Sequence, residues 1–435
     1  MSNPKIIRDK YTFTKLSDNY LPTDFTEVPN DSKIKDTRQL SDFKKQSFGG
    51  YMKSKVISAL EKELLTEKID TANYWGIQLL LSGSIEPLWN KLLLIATRHI
   101  NVANPTLPLF LLAKTRKIMS IILHLKGHAI IELRNNSEVR MLLADLISVL
   151  TLSRKRKLET LPKIKKEDFI VNVFKSKLEA KDTNLIDRIL QKDDPSEVRI
   201  AINEFAHHLK NRNNYKTLYW LNWILEWERI NRKKYNKFEV AARTIEGVAN
   251  KFNKCVIWLI WSVINTIRKQ TFNFEEGVGN KENKQIDALW VLFRLDYTTG
   301  KQSSRITYLV WTIKYMTSQI DWKIPLIDRE YIHFQAIANI NIMIRNLRSQ
   351  EINNGAYQNS KFDLVVHNHY LTTEKHPQLI KQKNAEQEMK EKQIELNKIK
   401  AAKKEKERIE KIAKKQKINV ESMNKLNFMS IIEDL

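Results

Sequence analysis

Apolar residues recur at helical spacing through most of the chain. Val56, Leu60 and Leu64 keep to one face of a helix, as do Trp75, Leu79 and Leu80, and then Leu88, Leu92 and Ile95. Breakers separate these runs at Ser82-Gly83-Ser84, at Asn104-Pro105, at Leu107-Pro108 and at Gly127, which predicts short, closely connected helices over 51–152. Further on, Leu218, Leu221, Ile224 and Leu225 interleave with Trp220, Trp223 and Trp227, the pattern of a helix with a broad apolar stripe. Trp258 with Trp261, Trp290 with Phe293, and Trp311 with Tyr315 mark three more helices. Turns fall at Gly277 to Asn280 and at Thr299-Gly300, and the one strand signal is Phe362 to His367. The fold class predicted is all-α, two related multi-helix units followed by a long charged C-terminal helix.

The claim of related units rests on self-similarity. Residues 52–75 align without a gap on 197–220, and both stretches end in Tyr-Trp, at Tyr74-Trp75 and Tyr219-Trp220. Ile57 falls on Ile202, Leu60 on Phe205 and Leu64 on Leu209, with an apolar run after each Tyr-Trp pair. One helical unit used twice is the reading, and such units usually build scaffolds. Both Trp rings are expected to be largely buried.

Domain boundaries follow composition. Residues 1–50, with Pro4, Pro22, Pro29 and Gly49-Gly50 and no sustained periodicity, read as a weakly ordered N-terminal arm. Unit 1 spans 51–152, a basic linker 153–166, and a Trp-rich unit 2 167–372. A charged helix is predicted over 373–418. Its densest stretch, 381–417, has fourteen Lys/Arg, seven Glu and neither Gly nor Pro. Glu386-Lys390 and Glu407-Lys411 are i,i+4 pairs in the favourable order, while the apolar seam is broken by Ala401-Ala402 and Lys403-Lys404. A single solvated helix is expected, in a chain monomeric outside a complex. Residues 419–435 follow as a terminal segment, and Leu426, Phe428, Met429, Ile431, Ile432 and Leu435 are its candidate partner-docking residues.

Composition narrows the class of function. In 435 residues, 42% hydrophobic with ten Trp, there is material for real cores, and Lys+Arg exceed Asp+Glu by a net +24. That balance favours a polyanionic partner. The lone Cys255 lies in the apolar run Cys255 to Ile264, where a buried thiol in a reducing compartment is expected. The same run is about half of the roughly 20 residues a membrane span needs, and the first residues have no apolar leader, so no membrane span is expected.

Signatures of catalysis are missing from the sequence. Gly277 and Gly279 with Lys281 lack the spacing of a phosphate loop; His124 with His128, His207-His208 and His367 with His369 have no completing ligands; Asp193-Asp194 and Glu275-Glu276 sit in polar turns and read as solvated. No enzyme, cofactor or metal is predicted. The Trp set reads as core, with Trp227, set among Glu226, Glu228, Arg229 and Arg232, placed at a rim. The candidate phosphate-contacting residues are Arg154, Lys155, Arg156, Lys157, Lys165, Lys166, Arg232, Lys233 and Lys234.

Two resemblances bear on this. Ala72 to Trp75, Ser82-Gly83, Leu88-Trp89, His99-Ile100 and Asn104-Pro105, followed by Tyr219-Trp220, Trp223-Ile224, Asn250 to Phe252 and Trp258 to Trp261, resemble a family of uncharacterised proteins of nucleocytoplasmic large DNA viruses, over about residues 50–350. Residues 70–108 are also similar to the helical collar of clamp-loader-like ATPases, without that family's ATPase motifs, which implies at most a helical assembly module. The functional expectation is therefore a non-enzymatic viral helical protein. It binds the phosphate backbone of nucleic acid without sequence specificity, or a viral replication, transcription or assembly protein, in the infected host cytoplasm. The alternative is a structural or internal virion or assembly protein.

Overall fold

Spacing of apolar residues sets the first hairpin. In the computed structural model, which describes residues 27–123, 127–235, 239–272 and 278–351, Val56, Leu60 and Leu64 are buried along α1 (Lys53–Leu65), which packs against α2 (Ile69–Leu81). The second hairpin pairs α7 (Ser196–Lys210) with α8 (Asn214–Tyr235). Both turn in the same way. Glu67 takes a left-handed φ of 59° and Lys68 N–H donates to Glu63 O at 3.0 Å; Arg212 takes a φ of 56° and Asn213 N–H donates to His208 O at 2.9 Å. These are aligned positions of the two similar segments. The Tyr-Trp pairs then occupy equivalent second helices, each pair edge to face. Their burial differs: Trp220 is fully buried, whereas Trp75 is half-buried between Tyr51 and Tyr74, so the expectation of two largely buried rings holds for one.

The remaining helices are α3 (Ile85–His99), α4 (Leu107–Leu123), α5 (Ser137–Leu152), α6 (Val171–Lys175), α9 (Val256–Thr271), α10 (Val278–Arg294), α11 (Gln302–Thr317), α12 (Glu330–Ala338) and α13 (Ile340–Leu347). Among the described residues there is no β-strand, and the fold is all-α. Helices from the two halves interlock: α10 packs on α4 and α11 on α3 and α8, so one apolar core runs from Leu92 to Trp311. Within it Trp258, Trp261, Trp290, Phe293 and Tyr297 form an aromatic cluster with ring centroids 4.6–5.9 Å apart. Trp227 belongs to this core at 7% exposure, which corrects its placement at a rim.

Residues 27–50 depart from the expected weakly ordered arm. They contain no helix, yet Ile34, Phe43 and Phe48 are buried in a second core with Ile77, Leu81, Ile337, Ile340 and Ile344. Hydrogen bonds to side chains replace the missing helical ones. Asn135 accepts from Ile34 N–H at 2.8 Å and donates to Ile34 O at 2.7 Å, and Arg134 donates to Asp36 O at 2.6 Å. The expected strand Phe362 to His367, the charged helix and the docking residues Leu426, Phe428, Met429, Ile431, Ile432 and Leu435 lie outside the described residues.

Candidate nucleic-acid interface

The stretch after α5 is short of hydrogen-bonding partners of its own and takes them from neighbouring helices. Arg156 N–H donates to His99 O at 2.7 Å, Leu158 N–H to Arg98 O at 2.8 Å, and Asn101 Nδ2 to Arg156 O at 2.6 Å, which fastens the segment to the C-terminal end of α3. Glu159 is held by Lys314 Nζ and, at 2.6 Å, by Asn214 Nδ2. Asn222 Nδ2 then donates to Pro162 O at 2.8 Å and Trp223 Nε1 to Asp168 O at 3.1 Å. Leu158, Leu161 and Ile164 pack inward on the core. Residues 154–168 thus form a strap laid along α8, running in the same direction.

Inward anchoring leaves most of the strap's cations outside. Arg154, Arg156, Lys157, Lys163, Lys165 and Lys166 are exposed. Lys155 is the exception among the residues singled out by sequence. Its Nζ donates to Thr151 O at 2.8 Å and Ser153 O at 2.5 Å, closing the C-terminus of α5, where carbonyl oxygens lack helical partners. Burial pushes its ammonium down to about 8, against the pull of Glu67.

Docking of the strap adds residues that the sequence pattern did not single out. Lys91, Arg98 and His99 lie on the last turns of α3, beside the strap's start. Burial pushes the His99 imidazole below its ordinary 6.5, and Arg98, Lys91 and Lys157 push the same way, while Glu61 opposes them. Glu61 also pairs with Lys91 at 2.7 Å. These cations read as the polar face of an amphipathic helix in sequence, and only the chain path brings them beside Lys157.

The Arg232 to Lys234 run is divided by the helix that carries it. Successive residues project about 100° apart, so Lys233, eighteen positions after Tyr215, returns to the face that bears Tyr215 and Asn222. Arg232 points elsewhere, into a polar knot. It donates to Glu228 Oε1 at 2.8 Å; that same oxygen accepts Val256 N–H at 3.1 Å, and Glu228 Oε2 accepts from Gln302 at 3.2 Å. Cys255 adjoins Arg232, and burial pushes its thiol above the ordinary value, with Glu228 adding to the effect. Lys234 Nζ sits 4.9 Å from the Tyr235 ring centroid. The end of the strap at Trp223 lies about 13 Å along α8 from Arg232.

Two other polar residues noted in the sequence have partners in the fold. Asp194 is not solvated: its side chain is 2% exposed, bound to Arg243 at 2.6 Å and accepting Ala241 N–H at 3.0 Å. His208 pairs with Glu204 at 3.3 Å inside the α7–α8 unit. Among the described residues, no group of three or more His, Cys, Asp or Glu is placed to hold a metal ion, and no helix is long and apolar enough to cross a membrane. Comparison of the chain with protein-family models, with curated proteins and with solved structures returned no match.

Proposed function

We propose that this protein is a helical scaffold that binds the phosphate backbone of nucleic acid through the strap along α8 and the adjoining end of α3. The observation that carries the reading is the strap itself, an extended segment pinned by backbone and side-chain bonds that leaves Arg156, Lys157, Lys165 and Lys166 in solvent. With the strap's backbone already fixed, only the side chains lose freedom on meeting phosphates, and contacts of this type give affinity without base specificity. Lys155 and Arg232 contribute through the fold, and Arg154, Lys163 and Lys233 extend the row.

The two hairpins with the same turn support a duplicated unit as the frame on which the strap lies. On the strength of the resemblance over residues 50–350, the chain is taken as an accessory to viral replication or transcription in the infected cytoplasm. The test is fluorescence anisotropy with labelled DNA and RNA, comparing wild type with a variant in which Arg156, Lys157, Lys165 and Lys166 are changed to Glu. Weaker binding to every sequence is expected. Undiminished binding removes the strap from the interface.

A further inference from the structure

Tyr215 stands out on the strap side of α8. The residue is 68% exposed, although its neighbours in the chain are held. Asn214 donates to Glu159 at 2.6 Å and accepts from Thr317 Oγ1 at 3.1 Å, and Lys216 pairs with Glu179. The ring is therefore presented from a fixed backbone rather than from a loose loop.

Two other tyrosines of α8 already carry a cation at the ring, although Tyr235 is itself exposed. Lys177 Nζ lies 4.5 Å from the Tyr219 centroid and Lys234 Nζ 4.9 Å from that of Tyr235. Among the described residues, no lysine or arginine lies over Tyr215. Cations lie near it in the chain and on the strap instead: exposed Lys210 and Arg212 come five and three residues before it, and Arg156, a strap residue, is close enough to act on the charge of Glu159, the partner of Asn214. An open aromatic face between cations is the arrangement on which an unpaired base stacks while its phosphates are neutralised. Paired bases inside a duplex have no free face to offer.

We infer that Tyr215 is a stacking platform, and that the nucleic acid bound along the strap is single-stranded; this rests on the phosphate-binding reading above. The probes are a fluorescein-labelled oligothymidylate of roughly 16 nucleotides and a blunt duplex of the same length, each titrated with the full chain. Tyr215→Ala is expected to weaken single-strand binding by roughly five- to hundredfold while leaving duplex binding within about twofold. Tyr215→Phe, which keeps the ring, is expected to bind as wild type does. Equal losses on both probes, or no loss on the single strand, overturn the inference. If the Arg156, Lys157, Lys165 and Lys166 reversals abolish binding while Tyr215→Ala does nothing, phosphate binding stands and stacking falls; if wild type binds neither probe, both fall.

Discussion

Lys155 Nζ donates to Thr151 O at 2.8 Å, so the second cation of a four-cation run closes a helix instead of facing solvent. Its buried ammonium titrates at about 8 rather than 10.5, so between those values the unfolded chain holds more protons than the folded one. The stability difference between wild type and Lys155→Met should therefore move in favour of wild type as pH rises through that window, and be flat below it. Chemical denaturation at several pH values measures this. Parallel curves for the two proteins would contradict it.

Arg140 carries a comparable burden for residues 27–50. Its guanidinium is fully buried and donates to Ser32 O, Arg134 O, Asn135 Oδ1 and Asn341 Oδ1 at 2.7–3.2 Å. Burial holds it at about 10, still charged at neutral pH. Arg140→Met removes all of these bonds at once, leaving Asn135 Oδ1 only its bond from Ile34 N–H, and is expected to cost at least about 3 kcal/mol in urea unfolding. A loss under about 0.5 kcal/mol would show that the network is dispensable.

The twin hairpin turns make a separate prediction. A side chain at a left-handed φ is strained, so Arg212→Gly should stabilise the protein by about 0.5–1 kcal/mol. Glu67→Gly should gain less, because Glu67 also pairs with Arg329 at 2.7 Å on the surface, a contact contributing roughly 0–1 kcal/mol. Thermal melting of both variants checks the order. Destabilisation by Arg212→Gly would mean that its side chain matters more than the turn.

His99 ties binding to pH. Burial and the cations Arg98, Lys91 and Lys157 disfavour its protonation, with Glu61 opposing, so the free protein holds it below 6.5. A phosphate placed there reverses that balance, and binding then takes up a proton. Affinity for nucleic acid is expected to rise as pH falls towards and below 6.5, and His99→Gln should remove most of that rise. Identical pH profiles for the two proteins would place His99 outside the interface.

Much of the helical frame was legible in the sequence because it depends on local spacing. Val56, Leu60 and Leu64 form the buried face of α1, and the break at Ser82-Gly83-Ser84 separates α2 from α3. What escaped depends on distant partners. Ile34, Phe43 and Phe48 have no periodicity because they fill gaps between α2, α12 and α13, and Asp194 finds Arg243 on the other side of the whole α7–α8 hairpin in sequence. The basic candidates were visible as charge, but the division between exposed Lys157 and inward Lys155 is set by the path of the strap. Arg232 did carry a local signal, since Glu228 lies four residues before it on the same helix.

The most direct measurement is the salt dependence of nucleic-acid binding by wild type and by the variant with Arg156, Lys157, Lys165 and Lys166 changed to Glu. Each phosphate contact contributes roughly 0.7–0.9 to the slope of log affinity against log salt. Loss of four contacts predicts a slope shallower by about 3, with affinity reduced on all sequences alike. An unchanged slope with unchanged affinity would contradict the assignment of the strap as the binding surface.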